Sequence, residues 1–263
     1  MDRLGGPTAV RIEAAIRRDR LVVGLSLAGV VALAWLYLWR HAPMDAGSST
    51  GMPMSAMPAM DPGAFALTFV MWVVMMAGMM LPSAAPTVLL YGAMLRRHAA
   101  NGTVFPAVWI FVSGYLAVWT GFSLAAALLQ SMLEHAAMMS AMISSASSWL
   151  NAVLLVTAGA YQLTPLKEVC LGKCRNPMLF FMTHWRAGTA GAFRMGVIHG
   201  AYCLACCWML MLLLFVVGVM NLAWVALIAA FVFLEKLLPG GRLTSRLAGF
   251  ALIMIGLTRA LIF

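Results

Sequence analysis

Five side chains between residues 195 and 207 are of the kinds that hold a soft metal: Met195, His199, Cys203, Cys206 and Cys207. All lie in one long apolar segment. At about 100° per helical residue, His199, Cys203, Cys206 and Cys207 fall at about 0°, 40°, −20° and 80°, with Met195 at about −40°. One helix face therefore carries an imidazole, three thiols and a thioether. Thiolates and thioethers suit Cu(I) best, with Zn(II) second. A lone cysteine in such a helix is ordinarily a small apolar side chain. Three on one face beside a histidine point instead to metal or thiol chemistry.

Two more cysteines, Cys170 and Cys174, stand four apart after Thr164-Pro165. Thr and Pro suit the cap and first position of a helix. On that helix the two thiols share a face, although Gly172 weakens it. Met71, Met75 and Met79 are also four apart and form a stripe. Methionine fills irregular gaps in cores, so packing stands as the competing role for each. Further methionines crowd residues 44–60 and 132–142, the latter around Glu134 and His135.

The elements that must position these groups follow from composition. The chain has 263 residues, 63% of them hydrophobic and 10% charged, with a mean hydropathy of +0.95. That is the composition of an all-α integral membrane protein, a polytopic helix bundle. No polar stretch is long enough for a soluble core. The net charge of +9 sits between apolar spans, where it orients the chain in a bilayer. This distribution excludes nucleic acid as a partner.

Seven spans are expected: Leu21–Trp39, Phe65–Leu95, Pro106–Gln130, Trp149–Leu163, Met195–Val217, a sixth ending at Glu235-Lys236, and Leu247–Phe263. The first is read as a retained anchor, because its apolar stretch is long for a signal peptide and no small-x-small site follows. Residues 1–64 then form a basic segment, anchor and Met-rich linker. Residues 65–263 form a six-helix domain carrying the Cys/His cluster. Pro82 and Pro86 should interrupt or kink the second span. Residues 175–194 read as a basic loop, with His184 an ordinary loop residue. No repeat is visible that would suggest an inverted-repeat transporter.

Of the 17 Lys and Arg, all but Arg40 and Arg259 fall on one side if the N-terminus is cytoplasmic, a strong positive-inside bias. The expected location is the bacterial inner membrane. The Met-rich loops 44–60 and 132–142 then face outward, and the Met71/Met75/Met79 stripe descends from them. Cys170 and Cys174 face the reducing cytoplasm, and Cys203 to Cys207 lie in the inner half or middle of the bilayer. A structural disulfide is not expected there, nor a disulfide-forming enzyme, which needs outward-facing cysteines. Haem lacks a second buried histidine on a facing helix. Glu235 could be a further ligand or a proton acceptor. The favoured reading places it at the inner interface beside Lys236, reaching water.

Taken in order, Met75-Met-Ala-Gly-Met-Met-Leu-Pro82-Ser83, Tyr161-Gln-Leu-Thr-Pro165-Leu-Lys167, Cys170 to Cys174-Arg175, His199-Gly200 with Cys203 and Cys206-Cys207-Trp208, and Glu235-Lys236 with Pro239 and Gly241 resemble a bacterial family. Its members are predicted metal-binding integral membrane proteins, named only as a domain of unknown function. The resemblance covers most of residues 60–260. Ala205 stands where the family's pattern has Gly, which leaves the ligands untouched. The resemblance implies a metal-handling membrane protein and identifies neither metal nor reaction.

The first expectation is a Cu(I)-binding inner-membrane protein that acquires, stores or relays metal, with zinc the second cargo. Its ligands are His199, Cys203, Cys206 and Cys207, with Cys170 and Cys174 as an inner acceptor pair and Met71, Met75 and Met79 as an outer relay. Its partners are the bilayer, the ion, and a metallochaperone or membrane-complex partner. Two alternatives stay open: a membrane thiol- or metal-dependent, oxidoreductase-like enzyme, and an assembly partner whose Cys face is a helix interface. The absence of an ATPase motif leaves transport without an obvious coupling site.

Overall fold

The computed structural model describes residues 7–41, 62–98, 104–139, 143–217, 221–238 and 241–262. The described chain is all helical: α1 (Pro7–His41), α2 (Pro62–His98), α3 (Val104–Met139), α4 (Ile143–Gln162), α5 (Pro165–Arg175), α6 (Pro177–His184), α7 (Gly188–Leu212), α8 (Leu214–Val217), α9 (Leu222–Leu237) and α10 (Gly241–Ile262). Among the described residues, five helices are long and apolar enough to cross a membrane, within α1, α2, α3, α7 and α10. The Met-rich segment 44–60 and Met142 lie outside the described residues.

Two expectations change and a third is narrowed. The segment 132–139 is the end of α3 rather than a loop. From Ser123 to Met139 the chain has no Gly or Pro, and its Ala, Leu, Gln and Met are strong helix formers. The basic segment 175–194 holds α6 and the start of α7. It folds because Phe180 and Phe181 are fully buried, with the Phe181 ring 5.5 Å from Tyr91 and 5.9 Å from Phe111. Finally, α2 runs through Pro82 and Pro86 without interruption. In that turn the Met80 carbonyl accepts from Ser83 Oγ at 2.9 Å and from Tyr115 Oη at 3.2 Å.

Close helix approach sets the frame around the site. A Cβ at Gly196 of α7 would fall 2.0 Å from the Phe111 carbonyl oxygen, and one at Gly114 of α3 would fall 2.2 Å from that of Phe193. Only glycine lets these two backbones meet, as small residues do in membrane helix pairs. This contact carries Tyr115 of α3 to the level of Cys203. Elsewhere α1 lies along α2, tied by an Arg96–Asp19 ion pair, and α4 packs on α10.

Candidate metal centre

Thr164 caps α5 as its sequence suggests, its side chain accepting from the Lys167 backbone N–H, with Pro165 at the first position. The short helix packs against α7 and buries Cys170 and Cys174. Opposite them, α7 buries Met195, His199, Cys203, Cys206 and Cys207, each at 3% exposure or less. The face read from helical spacing is thus the buried face. Met71, Met75 and Met79 are buried on α2, as are Met76 and Met80. All these methionines and cysteines belong to one contiguous core.

Cys203 is the meeting point of four helices. Its sulfur lies 3.0 Å from Tyr115 Oη of α3 and 2.9 Å from Lys236 Nζ of α9. The same ammonium donates to Ser83 Oγ of α2 at 3.0 Å. Cys206 and Cys207 each turn their thiol back to the Cys203 carbonyl at 3.0 Å. Cys174 of α5 interacts with Cys206, which joins the inner pair to the α7 cluster. Burial, with Cys206 nearby, pushes the Cys170 thiol up from its ordinary value. The interaction with Cys206, and then burial, hold the Cys174 thiol well above it.

His199 sits among rings, with centroids 5.3 Å from Phe180, 5.8 Å from Tyr115 and 6.1 Å from Phe111. Its Nδ1 is buried without a hydrogen-bond partner. A buried nitrogen left unpaired is a group that water or an ion would satisfy. Among the described residues, no three His, Cys, Asp or Glu side chains stand as a ready metal-holding group. The sulfurs are engaged by Tyr115, Lys236 and a backbone carbonyl, so they share a face without converging on one point.

A family model described as PpoB2, copper chaperone, matches residues 69–259. The chain belongs to this copper chaperone family. No curated protein and no solved structure matches it. The family match runs from within α2 into α10 and takes in all five cysteines, His199 and the α2 methionines. Copper is therefore the metal by which the donor set is to be judged. Thiols, thioethers and one imidazole in a water-poor core are the soft donors Cu(I) takes.

The polar network beside the cysteine cluster departs from the expectation. Glu235 does not reach water: it is 1% exposed, and its Oε1 lies 2.6 Å from Lys167 Nζ. Ser245 also donates to that oxygen, and Lys167 to Gln162. Two neighbours on α9 thus part company, Glu235 facing α5 and α10 and Lys236 facing Cys203. Among the described residues Glu235 Oε2 and Gln162 Nε2 are buried without partners. Tyr115, Ser83, Lys236 and Lys167 were not proposed as site residues. For Tyr115, Ser83 and Lys236 the signal was polarity within an apolar segment, which in a membrane helix marks a functional interior; Lys167, in the polar α5, carried no such signal.

Proposed function

We propose that the chain is a multi-pass inner-membrane protein that acquires, stores or relays Cu(I). The observation that carries this is the burial of Cys203, Cys206 and Cys207 against Cys174 and Lys236 in a copper chaperone family member. His199, Cys203, Cys206 and Cys207 are the primary donors, with Cys170 and Cys174 as an inner pair. Met71, Met75 and Met79 form the outer relay. Membrane passage by α4 and α9, beside the five long apolar helices, gives seven spans. The positive-inside bias of the basic residues supports a cytoplasmic N-terminus. Cu(I) is favoured over zinc because thioethers line the same core and are ligands for Cu(I) rather than Zn(II). A metallochaperone or a membrane complex receives or supplies the ion.

The test is the metal content of the detergent-purified protein after anaerobic Cu(I) loading, beside the Cys203→Ser/Cys206→Ser/Cys207→Ser variant. Copper near one equivalent per chain, lost in the variant, is the expected result. A folded wild-type protein that retains neither copper nor zinc overturns the reading.

A further inference from the structure

Between α5, the end of α9 and the start of α10 lies a cavity of about 380 Å³. Glu168, Arg175, Asn176, Lys236 and Arg242 line it. Two guanidinium side chains thus stand with one carboxylate, while the ammonium of Lys236 is turned to Cys203 and Ser83. Arg242 pairs with Glu168, but the arginine side chain is 74% exposed, so the pair does little to quench it. Arg175 donates to the Leu238 carbonyl, which fixes one wall. The inner wall is Lys236, whose ammonium is 2.9 Å from Cys203 Sγ. One side chain therefore separates an anion-attracting cavity from the thiol cluster. Its volume is in the range of small-molecule sites, about 300–1,000 Å³, and cannot admit a folded protein domain.

We infer that this cavity is the exchange port of the copper site and that its substrate is the Cu(I) complex of a small anionic thiol. The inference rests on the copper reading above. Carboxylates of the carrier meet Arg242 and Arg175, and its sulfur and copper reach the wall formed by Lys236. The carrier's Cu–S bond breaks as a bond to the Cys203 sulfur forms. The proton displaced from the protein's thiol goes to the departing carrier thiolate. Copper stays Cu(I) throughout, so neither oxidant nor reductant is needed. Delivery outward is the same exchange in reverse.

The experiment compares stopped-flow copper transfer into the detergent-purified full chain from Cu(I)–glutathione and from Cu(I) held by glutathione diethyl ester, the same thiol without carboxylate charge. Electrostatic focusing in a cleft is worth about 10-fold or more in association rate. The glutathione complex is expected to transfer at least ~10-fold faster at low salt, with the advantage fading as salt rises. Arg242→Gln should slow the anionic donor alone, and Glu168→Gln should speed it. Equilibrium copper content from a chelator-buffered Cu(I) solution should be unchanged in both variants. Equal rates for the two donors, or indifference to both substitutions, overturns the port while chelator-buffered loading still upholds the copper site. Failure to load from any source overturns both.

Discussion

The ammonium of Lys236 lies 2.9 Å from the sulfur of Cys203, so the most connected thiol of the cluster already holds a cation. An incoming Cu(I) must share that sulfur or displace the lysine. Two unit charges at 4 Å repel by about 4 kcal/mol at an effective dielectric of 20. The hydrogen bond that helps hold the sulfur ready is worth less, about 1.5–3 kcal/mol. Repulsion is the larger of the two, which fits the relay proposed above. Lys236→Met should bind Cu(I) at least ~10-fold more tightly and release it more slowly, since 1.4 kcal/mol is a factor of ten. Competition against a chromogenic Cu(I) chelator measures both. Unchanged or weaker retention would show that the lysine serves the ligand rather than opposing the metal.

The Lys167–Glu235 pair predicts a different kind of loss. Both side chains are 1% exposed and 2.6 Å apart. Removing one partner strands a buried charge, which costs about 3–5 kcal/mol, whereas replacing both by apolar groups is often neutral. Lys167→Met alone should sharply lower the thermal midpoint in detergent, and Lys167→Met/Glu235→Leu should recover most of it. The recovered double variant should also load copper, because the pair faces away from Cys203. Copper loss in a stable double variant would instead make the pair part of the metal path.

How far the sequence could be read depended on whether the information was local. The α7 face was legible because it needs only the spacing of His199, Cys203, Cys206 and Cys207 along one helix. The same is true of the Thr164 cap and of Cys170 with Cys174. Contacts across helices were not legible. Nothing local to Tyr115 says that it reaches Cys203, because Gly114 and Gly196 set that approach 82 residues apart in sequence. Lys236 and Glu235 looked like an interfacial pair because Pro239, Gly240 and Gly241 follow them. The structure instead turns Glu235 to Lys167 of α5 and Ser245 of α10, and Lys236 to Cys203 of α7 and Ser83 of α2, and so buries both charges.

Proton release should accompany loading. The interaction with Cys206, and then burial, hold the Cys174 thiol well above its ordinary value, and burial raises Cys170 as well. Both are therefore protonated at neutral pH and must lose a proton before they bind metal. Apparent Cu(I) affinity should rise with pH, by about 10-fold per pH unit for each proton displaced. Chelator competition at several pH values reads that slope, and Cys174→Ser should reduce it by one proton. A slope identical in wild type and Cys174→Ser would leave Cys174 outside the ligand set.

Glycine placement in α3 and α7 gives the most direct test of how the site is framed. A Cβ at Gly196 would stand 2.0 Å from the Phe111 carbonyl oxygen, a rigid backbone atom. At Gly200 the nearest contacts are at 3.1 Å and include the Val118 side chain, while at Gly121 nothing lies within 4 Å. Gly196→Ala must push α3 off α7, at a cost of about 1–3 kcal/mol or more. Gly200→Ala should cost less. Gly121→Ala should be neutral or stabilising, by up to about 1 kcal/mol of helix propensity. Thermal unfolding in detergent ranks the three. Because α3 carries Tyr115 to within 3.0 Å of Cys203, Gly196→Ala should also weaken copper retention, whereas Gly121→Ala should not. Equal stability of the Gly196 and Gly121 variants would mean that the two helices do not approach at Gly196 as described.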